Sequence, residues 1–78
     1  MSIREVLARN LRRYRAERGL SQEELAHRAD VDRTYVSSLE RMQYAAGIDV
    51  VESLAKALDL PAFELLRPPA DEQASTID

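Results

Sequence analysis

The residues best suited to chemistry lie in Ser21–Arg41, SQEELAHRADVDRTYVSSLER, which is rich in arginine and small hydroxyl side chains. Arginine binds phosphate and guanine edges through two parallel hydrogen bonds, and short hydroxyls let a helix approach a surface closely. These side chains are suited to binding a ligand surface, not to catalysis. Paired carboxylates, a glycine-rich phosphate loop or a nucleophile with its base cannot be assembled from the sequence. We therefore expect no enzymatic activity, no cofactor and no metal site.

The composition narrows the class of protein. The chain has 78 residues, which suits one small domain that is marginally stable alone, so a partner subunit is plausible. It has no cysteine and a single histidine, His27, which excludes disulfides, thiolate sites and histidine clusters. The sequence contains no apolar run of membrane-spanning length and no signal-peptide pattern. We expect a soluble cytoplasmic protein that does not contact a membrane.

The charge is unevenly distributed along the chain. The formal net charge is −3. Residues 1–41 carry nine arginines and a net charge of +2, whereas residues 42–78 carry a net charge of −5. The more basic part therefore contains Ser21–Arg41, which favours an anionic partner for that segment.

Apolar periodicity and capping signals predict an all-α fold, a compact arrangement of five short helices around one core. Ser2 and Ser21 each begin a capping box, and Gly19 is suited to end the first helix. Asp30 stands at a sharp turn, and Asp32 can cap the third helix, which we expect to end near Arg41. The inward residues of the first and fourth helices are predicted to be Ile3, Val6, Leu7, Leu11, Tyr14, Ile48, Val51, Leu54, Ala55 and Leu58. Residues 1–67 form the predicted domain, and residues 68–78 form a polar tail that we expect to be disordered.

The second and third helices have the pattern of a helix-turn-helix. Ala26 is small enough for the two helices to cross closely, and the apolar anchors are Leu25, Ala29, Val31, Val36 and Leu39. With these inward, a rotation of about 100° per residue places four side chains outward and two beside them. The outward residues are Thr34, Ser37, Ser38 and Arg41, with Arg33 and Tyr35 flanking them. Such a polar helix fits the DNA major groove, although an ordinary solvated face has the same appearance.

Residues 6–66 resemble the Cro/repressor-type helix-turn-helix domain of the XRE family. The matching segments are LRRYRAERGLSQEELA, VDRTYVSSLER, VVESLAKALDL and FELL. The resemblance implies a sequence-specific transcriptional regulator that binds a pseudo-palindromic operator in double-stranded DNA as a homodimer. The length and DRTYVSSLER particularly resemble the small controller proteins of restriction–modification systems.

The resemblance also implies roles for individual residues. Gln22 matches a phosphate-binding position, with Ser21 as the cap beside it. The base-reading positions are Arg33, Thr34 and Ser38, and Arg33 is the first candidate for a guanine contact. Tyr35 and Ser37 match contacts to phosphate, sugar or a thymine methyl group, and Arg41 and Gln43 complete the predicted DNA-binding set. Arg15 and Glu40 match a structural ion pair. The helix-five residues implied as core and as part of the dimer interface are Phe63, Leu65 and Leu66.

The sequence departs from the family pattern at two places. Asp30 replaces the usual glycine of the turn. The loop Met42–Ala46 carries no charge, where the family commonly has basic residues, although Gln43, Tyr44 and backbone amides remain able to contact phosphate. This loop predicts weaker non-specific binding and a shallower dependence of affinity on salt.

Two alternatives remain open from the sequence. The chain is consistent with the antitoxin of a toxin–antitoxin pair, in which the acidic tail would bind the toxin. It is also consistent with a protein-interaction module that keeps the fold without binding DNA. If the chain is a regulator, RNA polymerase is a further candidate partner, through an acidic patch formed by Glu17, Glu23 and Glu24.

Overall fold

The computed structural model describes residues 1–69, and its first three helices begin at side-chain caps supplied by Ser2, Ser21 and Asp32. The five helices are α1 (Ile3–Glu17), α2 (Gln22–Ala29), α3 (Arg33–Glu40), α4 (Ile48–Ala57) and α5 (Ala62–Leu65). No strand occurs within residues 1–69, so the all-α prediction is confirmed. The polar tail was predicted to be disordered, and its residues 70–78 lie outside the described residues.

Two complete capping boxes set the start of α1 and α2. The Ser2 hydroxyl accepts a hydrogen bond from the backbone N–H of Glu5, and the Glu5 carboxylate accepts one from the backbone of Ser2. Ser21 and Glu24 make the same reciprocal pair at 3.0 Å in both directions. The Ser21 hydrogen bonds lower the pKa of Glu24 below its usual value. Both predicted capping boxes are confirmed.

The turn between α2 and α3 depends on a left-handed residue. Asp30 has φ 57° and ψ 44°, a conformation that few residues other than glycine adopt readily. The Val31 N–H donates to the Ala26 carbonyl at 3.0 Å, which closes the turn. The Ala26 side chain is buried where the two helices meet, as its small size predicted. Asp30 therefore adopts the left-handed conformation at the position where the family pattern has glycine.

One apolar core joins the helices. α2 packs against α3 and α4, and α1 packs against α3 and α5. α1 and α4 thus pack against the helix-turn-helix, and α5 packs against both of them. The core residues are Leu7, Leu11, Leu20, Leu25, Ala26, Ala29, Val36, Leu39, Val51, Leu54, Ala55, Leu58 and Leu65.

Three apolar residues that we predicted to be inward are exposed. Ile3 and Ile48 are 58% and 82% exposed, and each is the first residue of its helix. Phe63 is 67% exposed, so its assignment to the core was wrong. The four-residue α5 can turn only one side toward α1 and α4, and Leu65 occupies that side.

A buried asparagine holds α5 on α1. The Asn10 amide nitrogen donates to the backbone carbonyls of Glu64, Leu65 and Arg67 at 3.3, 2.8 and 3.0 Å. These carbonyls have no helical partner at the end of so short a helix, so Asn10 satisfies groups that would otherwise be buried unpaired. The sequence showed one polar residue within the apolar stripe of α1, and that irregularity was the signal for this contact.

The helices described are too short or too polar to span a bilayer; within residues 1–69 we find no candidate membrane span.

Candidate nucleic-acid interface

α3 presents its first turn to solvent, and Arg41, the residue that follows the helix, is also exposed. The Asp32 carboxylate caps the helix by accepting the backbone N–H of Thr34 at 2.9 Å, and this bond lowers the pKa of Asp32. Arg33, Thr34 and Arg41 are exposed. Within residues 1–69, the Arg33 and Arg41 guanidinium groups form no hydrogen bond or ion pair, so both are available to an external anion.

The middle of α3 is less exposed than we predicted. Tyr35 and Ser37 are half-buried. Ser38 is only 4% exposed, so the prediction that it faces outward was wrong. The N–H of Gln43 donates to the Ser38 carbonyl at 2.9 Å and closes the C-terminal turn of α3. Because Ser38 is buried, we leave it out of the base contacts proposed below.

Arg15 and Glu40 form the ion pair that the resemblance implied. Arg15 Nε lies 2.8 Å from Glu40 Oε2, and Arg15 Nη2 lies 2.9 Å from Oε1, so the contact is bidentate. The Glu40 side chain is 3% exposed and that of Arg15 is 21% exposed. The hydrogen bonds to Glu40 raise the pKa of Arg15, although its partial burial acts in the opposite direction. The pair joins α1 to the last residue of α3.

Two further arginine contacts fix the same end of α3. Arg12 Nη1 donates to the backbone carbonyl of Glu40 at 2.7 Å. Arg15 Nη1 donates to the carbonyl of Leu20 at 3.0 Å, just before α2. No pattern in the sequence marks Arg12 as a support of α3, because its partner is a backbone group 28 residues away.

Gln22 lies on the side of this cluster that faces solvent. Its amide Nε2 donates to Glu40 Oε1 at 3.0 Å, and the residue is half-buried at the first position of α2. Gln22 and Arg33 line one shallow surface depression, together with Ser21, Arg15 and Glu23. Ser21 is exposed and its hydroxyl is engaged in the α2 cap. The structure therefore brings Gln22, the predicted phosphate-binding residue, and Arg33, one of the predicted base-reading residues, to one face.

The loop after α3 begins with a left-handed residue. Met42 has φ 60°, and its N–H donates to the Leu39 carbonyl at 3.1 Å. Gln43 and Tyr44 are exposed beyond it, and the Tyr44 ring packs edge-on against Tyr35. The loop is thus tied to α3 by backbone bonds and an aromatic contact.

The residues assigned to a dimer surface are not placed together. Phe63 is exposed and Leu66 is half-buried, but Leu65 is fully enclosed in the core of one chain. The assignment of Leu65 to an interface between two copies was therefore wrong. Leu65 is fully buried and belongs to the core cluster, against which Ala62 of the same helix also packs.

Comparison with known proteins gives consistent relatives. A family described as helix-turn-helix matches residues 11–65. A hypothetical transcription factor of Neisseria meningitidis serogroup B is 45% identical over 88% of this chain. This chain spans only 65% of the length of that relative. The control protein C.SmaI of Serratia marcescens is 42% identical over 85% of this chain and 79% of its own length.

Solved structures agree with these matches. The crystal structure of hypothetical transcription factor NHTF from Neisseria has a TM-score of 0.87 and 42% identity, covering 95% of this chain and 85% of the other. The restriction–modification controller protein C.Esp1396I, solved as a tetramer with its natural 35 base-pair operator, has a TM-score of 0.76 and 30% identity. That match covers 85% of this chain and 91% of the other. On its sequence, its fold and the geometry of α2 and α3, this chain belongs to the XRE-type helix-turn-helix family.

Proposed function

We propose that this chain regulates transcription as a homodimer that binds a pseudo-palindromic operator in double-stranded DNA through α3. The observation that carries the proposal is the contrast between the two sides of α3. The buried side of α3 is fixed through the ion pair of Glu40 with Arg15. The exposed Arg33 and Arg41 have no hydrogen-bond or ion-pair partner within residues 1–69. A helix that is fixed on one side and unpaired on the other is preorganised for an external surface.

The dimensions of α3 fit the major groove. An α-helix with its side chains is about 10–12 Å across, and the groove of B-DNA is about 12 Å wide. The exposed Arg33 at the first position of α3 is our candidate for a bidentate guanine contact, which typically contributes about 1–3 kcal/mol of discrimination. We assign Thr34 to base contacts, and Ser37, Tyr35 and Arg41 to the margins of the groove.

The N-terminus of α2 is our candidate phosphate site. Free N–H groups at a helix N-terminus attract anions. A glutamine amide nitrogen has two N–H donors, and the bond to Glu40 uses one of them. The second N–H of Gln22 remains for a phosphate oxygen, while Glu40 fixes the direction of the amide.

A two-fold dimer would present two α3 helices to one side of DNA. Half-site centres are then expected about 34 Å apart, one helical turn. Phe63 and Leu66 are our candidates for the dimer surface, since Phe63 is 67% exposed and Leu66 half-buried. The similarity to C.SmaI and C.Esp1396I supports the narrower proposal of a restriction–modification controller acting on DNA in the cytoplasm.

Selection of bound fragments from random double-stranded DNA tests the function. We expect a two-fold-symmetric motif, and a gel shift at submicromolar protein that weakens as salt rises. Sedimentation of the complex should give two chains per operator or a multiple of two. Absence of sequence-dependent binding at micromolar protein would exclude the regulator, and would favour a fold used only for protein contacts.

A further inference from the structure

A small cleft lies between α1 and the end of α5, and its residues have no role in the proposed function. Its volume is about 230 Å³. Sites for drug-sized ligands have volumes of about 300–1,000 Å³, so this cleft suits a smaller molecule. It is lined by residues of α1 and by residues at and after the end of α5, among them Asn10, Arg13, Tyr14, Glu64, Arg67 and Pro69.

The most buried residue of the cleft offers a hydrogen-bond acceptor. Asn10 is only 5% exposed, and its Nδ2 donates to three backbone carbonyls, which fixes the orientation of the amide. Within residues 1–69 no group donates to the remaining atom of that amide, Oδ1. Every enclosed side-chain oxygen in the described part of the chain has a partner, so solvent reaches this Oδ1 through the cleft. An acceptor in this position favours a ligand that carries an N–H or O–H group.

Two guanidinium groups border the same cleft. Arg13 is 58% exposed and bonds Glu17 through Nε at 3.2 Å. Arg67 is 59% exposed and bonds Glu64 through Nη1 at 3.1 Å. The other nitrogens of both arginines form no hydrogen bond to residues 1–69. Their planar sets of N–H donors match the two oxygens of a carboxylate.

The Glu64 carboxylate in the lining is already engaged. Its Oε1 accepts a hydrogen bond from Arg67, and its Oε2 accepts one from the Tyr14 hydroxyl at 3.0 Å. Two arginines against this one glutamate give the lining a net charge of +1. The Tyr14 ring and Pro69 supply apolar surface beside these charges. The cleft therefore suits a small ligand that has one negative charge and a short carbon skeleton.

We propose that this cleft binds a small organic carboxylate that also carries an N–H or O–H donor, as N-acylated amino acids and 2-hydroxy acids do. The carboxylate lies between Arg13 and Arg67, and the donor bonds Asn10 Oδ1. Because Arg13 belongs to α1 and Arg67 follows α5, the bound ligand holds α5 more firmly on α1. The inference goes beyond the proposed function, since it requires neither DNA binding nor a dimer.

Titration of the full chain with N-acetylglycine at constant ionic strength, followed by heteronuclear NMR, tests the site. We expect saturable shifts of the Asn10 side-chain amide with a Kd of about 1 mM. Two analogues are matched controls: N-acetylglycinamide lacks the charge, and acetoxyacetate has an oxygen in place of the N–H. Each is expected to bind about tenfold more weakly. Equal binding of N-acetylglycinamide, or no saturable shift at Asn10, would overturn the proposal.

Substitutions locate the binding energy. Arg67→Gln is expected to weaken binding of N-acetylglycine about tenfold. Arg28→Gln removes the same charge from an exposed position on α2 and should leave the affinity unchanged. Equal losses of affinity for these two variants would contradict a specific site, and melting temperatures check that both remain folded.

A third variant tests whether carboxylates of this chain take the place of the ligand. Asp71 and Glu72 follow Pro69 closely in the sequence. Replacing both by their amides, Asp71→Asn with Glu72→Gln, should leave the affinity for N-acetylglycine within about twofold of that of the natural chain. A tenfold gain would mean that the chain's own carboxylates fill the cleft, and it would overturn the proposal of a separate ligand.

Discussion

Gln22 and Glu40 are joined by a 3.0 Å hydrogen bond from the Gln22 amide Nε2 to Glu40 Oε1. The same carboxylate accepts hydrogen bonds from Nε and Nη2 of Arg15. One buried acid therefore connects the helix that supports α3 with the residue proposed to hold a phosphate. We therefore expect a change at Glu40 to affect both stability and the proposed DNA binding, and a change at Gln22 to affect mainly binding.

Removal of Arg15 should destabilise the domain strongly. Arg15→Met leaves the carboxylate of Glu40 buried at 3% exposure without its cation. Breaking one side of a buried pair commonly costs about 3–5 kcal/mol, so we expect a loss of about 3 kcal/mol in the free energy of unfolding. Urea denaturation followed by circular dichroism measures it.

Arg13→Met is the matched control for that variant. Arg13 pairs with Glu17 at 3.2 Å on the same helix, but the two side chains are 58% and 52% exposed. Exposed pairs of this kind contribute less than about 1 kcal/mol. Equal losses in the free energy of unfolding for the two variants would show that the Arg15–Glu40 pair stabilises the fold no more than the exposed Arg13–Glu17 pair.

Substitutions of Gln22 and Arg33 should affect binding in different ways. Gln22→Ala removes the proposed phosphate contact and is expected to weaken binding to all sequences by a similar factor. Arg33→Ala is expected to lose about 1–3 kcal/mol of discrimination at one or two base positions of each half-site. Competition between the selected operator and single-base variants measures both effects. The assignment of α3 as the reading helix fails if Arg33→Ala retains full discrimination.

Acidification should remove the contribution of Asp32 to stability. The hydrogen bond from the Thr34 N–H lowers the pKa of Asp32 below its ordinary value of 3.8. A carboxyl group whose pKa falls on folding stabilises the protein above the unfolded pKa, and this stabilisation disappears as pH falls through the folded pKa. The difference in melting temperature between the natural chain and Asp32→Ala should therefore be full at pH 7 and shrink below pH 3.8.

Asp32→Asn supplies the comparison for this pH effect. Asparagine caps a helix nearly as well but does not titrate. Its melting temperature relative to Asp32→Ala should stay constant through the acid range. A difference between the natural chain and Asp32→Ala that does not change with pH would mean that the cap does not depend on charge.

Substitution of Phe63 should weaken dimer formation without destabilising the fold. Phe63→Glu places a charge on a side chain that is 67% exposed, so the free energy of unfolding should change little. If Phe63 lies at the dimer surface, sedimentation should show the 8.8 kDa monomer and operator affinity should fall. An unchanged dimer with Phe63→Glu would place the interface elsewhere.

Local signals in the sequence were sufficient to predict the helices of this fold and the turn between α2 and α3. The capping boxes at Ser2 and Ser21 and the left-handed turn at Asp30 involve residues only a few positions apart, and all three are present. Such features depend on backbone geometry that any five-helix packing would preserve. The sequence therefore predicted the order of the helices well.

Contacts between distant residues limited the prediction of the site. Helical rotation within α3 places Ser38 outward, but the residue is 4% exposed in the folded chain. Phe63 and Leu65 received the same assignment, to the core and to the dimer interface, although Phe63 is exposed and Leu65 is buried, because α5 is too short to show a periodicity of its own. Periodicity gives the direction of a side chain from the helix axis, and it contains no information about which later segment lies there.

The exposed side of α3 is chemically separate from the bonds that hold the helix. The supports of α3 meet at Glu40, while Arg33 and Arg41 bond to nothing within residues 1–69. With α3 as the proposed reading helix, we expect a substitution at Arg33 to change the DNA sequence that is recognised with little loss of folded protein. Descendants of such a chain can acquire new operators by a few exchanges on one surface, so regulators that share this scaffold can diverge in target while they remain alike in fold.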